Sequence, residues 1–332
     1  MRPSAPSRSW SRRCSGGRRG AYLRRVVLTR PYCYGGVAFT KLRRRSKCSE
    51  ATVIVESQGA RLAVFEQGDR SAPTVVLVHG YPDTHRVWDE LAPLLAERFH
   101  VVTYDVRGAG GSSAPRGLAA YRLPVLARDL LAVIAAVSPD EPAHVVAHDW
   151  GSIQAWEAVT TPGAPIASYT TISGPCLDHV GHWVRRRPTV RHLKQLVSSW
   201  YIVAFHLPFL APLLWRHVLG PRWESVARRL EGVVPPVSPT VLRDGEQGIA
   251  LYRANFIPRL RSPRVRRTDV PVQVVQPLRD RYVTAGVTED VERWASDVRR
   301  RVVDAGHWVQ LTHARTLALF VTDHVTAHSR RG

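Results

Sequence analysis

Hydrophobic and polar positions along this chain switch between two periods. Thr74-Val75-Val76-Leu77-Val78 is an unbroken apolar run of strand length, the pattern of a strand covered on both faces. Leu126, Leu130, Val133, Ile134 and Val137 instead recur at helical spacing and predict an amphipathic helix over Leu123–Val137. From residue 51 such segments alternate in the βα manner of an α/β fold. Residues 52–56 and 61–65 predict a hairpin of two short edge strands, 87–97 a helix, and His100–Tyr104 a strand. Residues 144–147 predict a strand running into a helix from Gly151, followed by a strand over Ile166–Ile172.

After Ser173-Gly174-Pro175 the pattern changes. Residues 176–267 hold helical patches rich in Trp, Arg and Pro, without a convincing strand, and predict a helical insertion. The βα pattern resumes with a strand at 270–276, a helix near 289–294, a strand at 301–303 and a closing helix at 309–324. The organisation expected is a basic extension over 1–50, an α/β core from 51–175 and 268–326, and a helical lid over 176–267. A lid over a mostly parallel sheet with helices on both faces puts a pocket at the carboxyl ends of the strands.

Composition changes this picture in one respect. At 332 residues, 44% hydrophobic and 22% charged, the chain is ordinary for a globular protein, but its net charge is +20. Residues 1–49 hold 14 Lys or Arg and no acid, so the remainder carries +6, the total less these 14. The excess belongs to an extension whose composition predicts disorder. An inert extension, a targeting segment and an arm for an anionic surface or nucleic acid all remain open; no specific nucleic acid is expected for the body. Cys14, Cys33, Cys48 and Cys176 form no C-x-x-C pair, so neither a disulfide framework nor a zinc site is expected, and a cytoplasmic location fits. The longest uncharged apolar stretch, 200–215, is too short to span a bilayer and contains His206, Pro208 and Pro212, so no transmembrane segment is expected. Homo-oligomerisation is left open.

Four signals carry chemistry. In His148-Asp149-Trp150-Gly151 a strand ends, one carboxylate follows and a Gly opens a helix, the shape of a nucleophile elbow, although Asp is also a good helix cap. An Asp with a pKa of roughly 4 is ionised at neutral pH and needs no base to attack. Attack at an sp3 carbon would leave an ester that water can cleave, whereas Ser would leave an ether. His79-Gly80-Tyr81-Pro82 follows the first buried strand, so the N–H groups of Tyr81 and Trp150 are candidates for an oxyanion hole. Asp280 lies just beyond a late strand, and His307, in Gly306-His307-Trp308, just before the last helix. The order nucleophile, acid, histidine is that of α/β-hydrolases. The Gly-rich loop over 105–113 fails G-x-G-x-x-G, because position 113 is Ser, and reads as a structural loop beside the elbow.

With these motifs the chain resembles the α/β-hydrolase-fold epoxide hydrolases from about residue 55 to 324. More closely, it resembles the hydrolase half of actinobacterial proteins that fuse an epoxide hydrolase to a short-chain dehydrogenase. Ala147 stands where many relatives have Gly. The resemblance implies two lid tyrosines that donate to the epoxide oxygen, matched here by Tyr201 and Tyr252. It also implies a small lipophilic epoxide and water as reactants, with no cofactor or metal. The chain ends soon after the hydrolase pattern, so no nicotinamide site is expected. A haloalkane dehalogenase or another hydrolase of this fold is the alternative enzyme, and a non-catalytic, basic-tailed binding protein the alternative of another class. The apolar lid residues Trp200, Phe205, Phe209, Leu213 and Trp215 point to a lipophilic substrate.

Overall fold

The computed structural model describes residues 53–186 and 189–329. The basic extension 1–50, with Cys14, Cys33 and Cys48, lies outside the described residues.

Gln58 and Gly59 both take positive φ, 47° and 74°. That backbone hand matches the twist of a two-residue hairpin and joins β1 (Val53–Ser57) to β2 (Ala60–Gln67). The other strands are β3 (Thr74–Val78), β4 (His100–Tyr104), β5 (Ala143–His148), β6 (Ile166–Ile172), β7 (Val272–Pro277) and β8 (Val298–Val303). All eight form one sheet in the order β1-β2-β4-β3-β5-β6-β7-β8. β2 is antiparallel to β1 and β4, and every other pairing is parallel.

Alternate side chains of each strand enter opposite cores. Val76 and Val78 pack on one face with α2 (Leu123–Val137) and α3 (Trp150–Val159), through Leu130, Ile134 and Trp156. Val75 and Leu77 pack on the other with α1 (Ala92–Leu95) and the closing helices. This double cover is why β3, β4 and β5 are buried at every position.

Three predicted helices differ in detail. The helix expected over 87–97 is divided into a 3-10 turn at His85–Trp88 and the short α1, whose Pro93 has no N–H to continue an earlier turn. Residues 289–294 form only a 3-10 turn, Val291–Arg293; it suffices to bury Val291 and Trp294, three residues apart. The closing helix breaks at His313, where φ is −132°.

Between β6 and β7 run α4 (Leu177–Val184), α5 (Val190–Ser198), α6 (Trp200–His206), α7 (Leu210–Leu214), α8 (Trp223–Glu231) and α9 (Val241–Arg261). α10 (Val309–Thr312) and α11 (Ala314–His328) follow β8. Among the described residues no single helix is long and apolar enough to cross a membrane.

The long helix α9 is fastened at both ends. Asn255 accepts the Leu123 N–H at 2.9 Å and donates to the Tyr121 carbonyl at 2.8 Å, and Asp244 accepts the Gly110 N–H at 3.0 Å. At its far end Arg259 bonds Glu157 of α3 at 2.9 Å and Asp178 of α4 at 2.8 Å. Arg264 and Arg266 join the same two carboxylates. Glu157 and Asp178 are 6% and 1% exposed, so removing either would leave arginines partly unpaired in a low-dielectric site. Asp178→Ala is therefore expected to cost about 3–5 kcal/mol of stability, read from the shift in urea unfolding; a loss below about 1 kcal/mol, the surface-pair range, would show that this cluster does not hold α9 to α3 and α4.

Candidate active site

β5 ends in a backbone turn that few residues tolerate. Asp149 sits at φ 52° and ψ −124°, strain worth about 1–3 kcal/mol, held by its surroundings. Two glycines allow the close approach. A Cβ on Gly151 would lie 2.2 Å from the Val78 carbonyl oxygen, and one on Gly80 2.4 Å from Asp149 Oδ1. The turn projects the Asp149 side chain over the carboxyl ends of β3 and β5. There the Tyr81 N–H donates to Oδ1 at 2.8 Å, and the Trp150 N–H also bonds the carboxylate. Burial raises the Asp149 pKa, and His307 with these two N–H groups opposes that rise without cancelling it.

His307, ahead of α10, lies with Nε2 3.8 Å from Asp149 Oδ2 and Nδ1 3.1 Å from Asp280 Oδ2. Asp280, after β7, accepts the N–H groups of Tyr282 at 2.8 Å and Val283 at 3.0 Å, which fix its orientation. Burial alone would depress the His307 pKa. The carboxylates of Asp280, Asp149 and Glu231 outweigh it and raise the value to about 9. Burial likewise raises Asp280, but His307 and its donors leave it below the usual carboxylate range.

Tyr252 is buried on α9 and Tyr201 half-buried on α6, with ring centroids 6.0 Å apart. Burial holds both phenols protonated well above their ordinary value, helped at Tyr201 by the charge of Asp149 and at Tyr252 by Tyr201 and then Asp149. Two apolar chambers of about 380 and 480 Å³ meet here, sharing Asp149, Tyr201, Tyr252 and Tyr282. Tyr81 closes the floor, its hydroxyl donating to the Gly245 carbonyl at 2.8 Å. Gly245 and Gly248 let α9 lie this low: a Cβ on either would fall 1.8 Å from the Trp215 ring or 2.2 Å from the Tyr81 ring.

All seven residues singled out in the sequence, Tyr81, Asp149, Trp150, Tyr201, Tyr252, Asp280 and His307, thus gather at one place. The apolar lid residues divide. Trp200, Phe205 and Trp215 line a chamber, while Phe209 and Leu213 line neither and are 82% and 53% exposed, because α7 turns them away from the cavity.

Several groups around His307 and Trp308 were assigned no role from the sequence. Glu231, at the end of α8, accepts the His307 N–H at 3.0 Å. His148, kept neutral by burial, donates Nε2–H to the His307 carbonyl at 3.0 Å and accepts from Gln310 at 3.1 Å. Asp83 accepts the Trp308 indole N–H at 3.0 Å, and burial raises its pKa to about 7. Only His148, beside the elbow, was within reach of sequence reasoning.

The loop over 105–113 is structural, as expected. Asp105 accepts from the His85 backbone at 2.8 Å and from Gly111 at 2.7 Å, while Arg107 grips Asp129 through two bonds of 2.5 and 2.6 Å. His79 accepts the Val106 N–H at 3.0 Å and so ties the loop to the Gly80 turn.

Comparison with known proteins matches the same architecture. A family model described as the alpha/beta hydrolase fold matches residues 73–314. The chain belongs to the α/β-hydrolase family. The chain is 40% identical over 283 residues to a protein named probable oxidoreductase EphD of Mycobacterium tuberculosis, across 80% of this chain and 48% of that protein. The chain thus spans about half the length of that relative. It is 30% identical over 237 residues to epoxide hydrolase A of Mycobacterium tuberculosis, covering 69% of this chain and 67% of the relative. The crystal structure of a Bacillus megaterium epoxide hydrolase in complex with an inhibitor superposes with a TM-score of 0.71, over 82% of this chain and 100% of that one. At 18% identity this likeness concerns the fold alone.

The raised proton affinity of His307 gives a pH signature. Its folded pKa of about 9 exceeds the ordinary 6.5, so its ion pairing stabilises the fold fully below pH 6.5 and is lost as pH rises through about 9. In an NMR titration His307 should remain imidazolium through neutral pH, and Asp280→Asn should lower its pKa. A wild-type pKa at or below 6.5 would contradict the three-carboxylate arrangement.

Proposed function

We propose that this hydrolase opens epoxides to vicinal diols through a covalent ester on Asp149. The observation that carries the reading is an Asp at the elbow, in a chamber it shares with two tyrosines that burial holds protonated. The reading takes residues 51–175 and 268–326 as catalytic core and 176–267 as lid. Its reactants are a small lipophilic epoxide and water.

One Asp149 oxygen attacks a ring carbon, the ring C–O bond breaks, and the oxygen takes a proton from Tyr201 or Tyr252. The tyrosinate is restored by the proton that His307 holds at rest. Esterification removes the Asp149 charge, one of the three that raise His307, so the imidazole loses its proton more readily at the moment a base is needed. Neutral His307, oriented by Asp280, then takes a proton from water as that water attacks the ester carbonyl. The N–H groups of Tyr81 and Trp150 already bond the carboxylate and would hold the tetrahedral oxyanion. Collapse breaks the acyl–oxygen bond. The departing alkoxide takes the carboxyl proton, which leaves the diol, the Asp149 carboxylate and protonated His307.

Two experiments test the scheme. Asp149→Asn should abolish diol formation, and His307→Gln should accumulate an adduct whose intact mass equals protein plus epoxide. If no epoxide in a lipophilic panel gives that adduct, the two-step route fails; halide release from haloalkanes without epoxide turnover would assign the site to dehalogenation. Replacing both Tyr201 and Tyr252 with Phe should lower kcat/KM by about 10²–10⁴-fold, while a loss of less than about tenfold would remove the tyrosines from the proton-transfer step.

A further inference from the structure

The lid bears a surface that its own packing leaves apolar. α5 is turned inside out. His192 faces the protein, stacked 3.9 Å from the Trp183 ring and bonded to the Trp183 carbonyl, and Gln195 bonds the Tyr282 carbonyl and the Thr284 N–H. Val190, Leu193, Leu196 and Val197 on the same helix are 62–83% exposed. The apolar surface continues onto α6 and α7, where Trp200 is 71% and Val203 70% exposed, and Phe209 between them 82%. A helix on a water-facing surface does the reverse, and an apolar patch of this extent marks an interaction site.

Charge and cavity identify the occupant. Between Asp178 and Glu224 the chain has seven Lys or Arg and no acid. Arg186, Arg191 and Arg216 pair with Asp290, Glu289 and Glu246. Arg185, Lys194 and Arg222 meet no acid among the described residues. The same patch forms the mouths of the chambers: Leu196 and Val203 line one, Val197, Trp200 and Leu210 the other. A second copy bound symmetrically would set these cations against their own counterparts. A surface of apolar chains beneath anionic headgroups complements all three features, with Trp200 suited to the boundary between them.

We propose that α5, α6 and α7 dock this protein on an anionic lipid bilayer, with both chambers opening toward the acyl chains. The inference rests on the lid surface and stands apart from the chemistry proposed at Asp149.

The full chain should co-sediment with vesicles of phosphatidylcholine and phosphatidylglycerol, and brominated acyl chains should quench fluorescence that Trp200→Phe removes. The triple variant Val190→Gln, Leu193→Gln and Leu213→Gln keeps every charge, including those of residues 1–49, and alters no chamber-lining residue. It should bind these vesicles about tenfold or more less tightly, with its unfolding midpoint unchanged. Equal binding by wild type and variant would mean that charge alone, such as that of the basic extension, attracts the protein, and would overturn the proposal. Absence of acyl-chain quenching at Trp200 would overturn it too, as would a wild-type dimer that the variant converts to monomer, which would assign the face to a second copy.

Discussion

The site depends on one residue held in a backbone conformation that L-amino acids avoid. Asp149 at positive φ would relax to an ordinary strand-to-helix junction if its neighbours gave it room. The Gly80 turn, the Val78 carbonyl against Gly151 and the double cover of β3 and β5 deny it that room. Everything else is measured from the carboxylate so displayed: two N–H groups from below, an imidazole 3.8 Å to one side, two phenols across the cavity.

The second determinant is electrostatic. A buried imidazole would normally lose its proton, yet three carboxylates around His307 reverse that preference. They differ in kind. Asp280 is locked by backbone donors of its own loop, Asp149 is the group whose charge the proposed chemistry removes, and Glu231 belongs to the lid. A base controlled by one permanent and one removable charge suits a reaction whose two halves need opposite protonation states.

Much of this was legible in the chain, for physical reasons that also explain what was not. Asp149, Tyr81 and His307 sit at turns after strands, and glycine marks each turn: Gly151 two residues past Asp149, Gly80 before Tyr81 and Gly306 before His307. The core helix α2 and the buried strands follow from period alone. Glu231 reaches His307 across 76 positions of sequence, from a helix whose placement depends on the whole lid, and no local pattern announces such a contact. The helix expected near 289–294 failed because two apolar residues three apart fit a single 3-10 turn as well as a longer helix. α5 shows the deeper limit. Its spacing reveals two faces, but only packing decides which one turns to solvent, and here the polar side chains won the interior by bonding Trp183, Tyr282 and Thr284.

The bond from Glu231 to the His307 backbone has a consequence of its own. It is made by the lid to the segment that carries the histidine, so the position of α8 and the proton affinity of the imidazole are thermodynamically linked. Any displacement of α8 that withdraws the Glu231 charge weakens the hold of His307 on its proton. By reciprocity, protonation of His307 draws α8 inward. The position of α8 thereby reports the charge state of the imidazole it bonds.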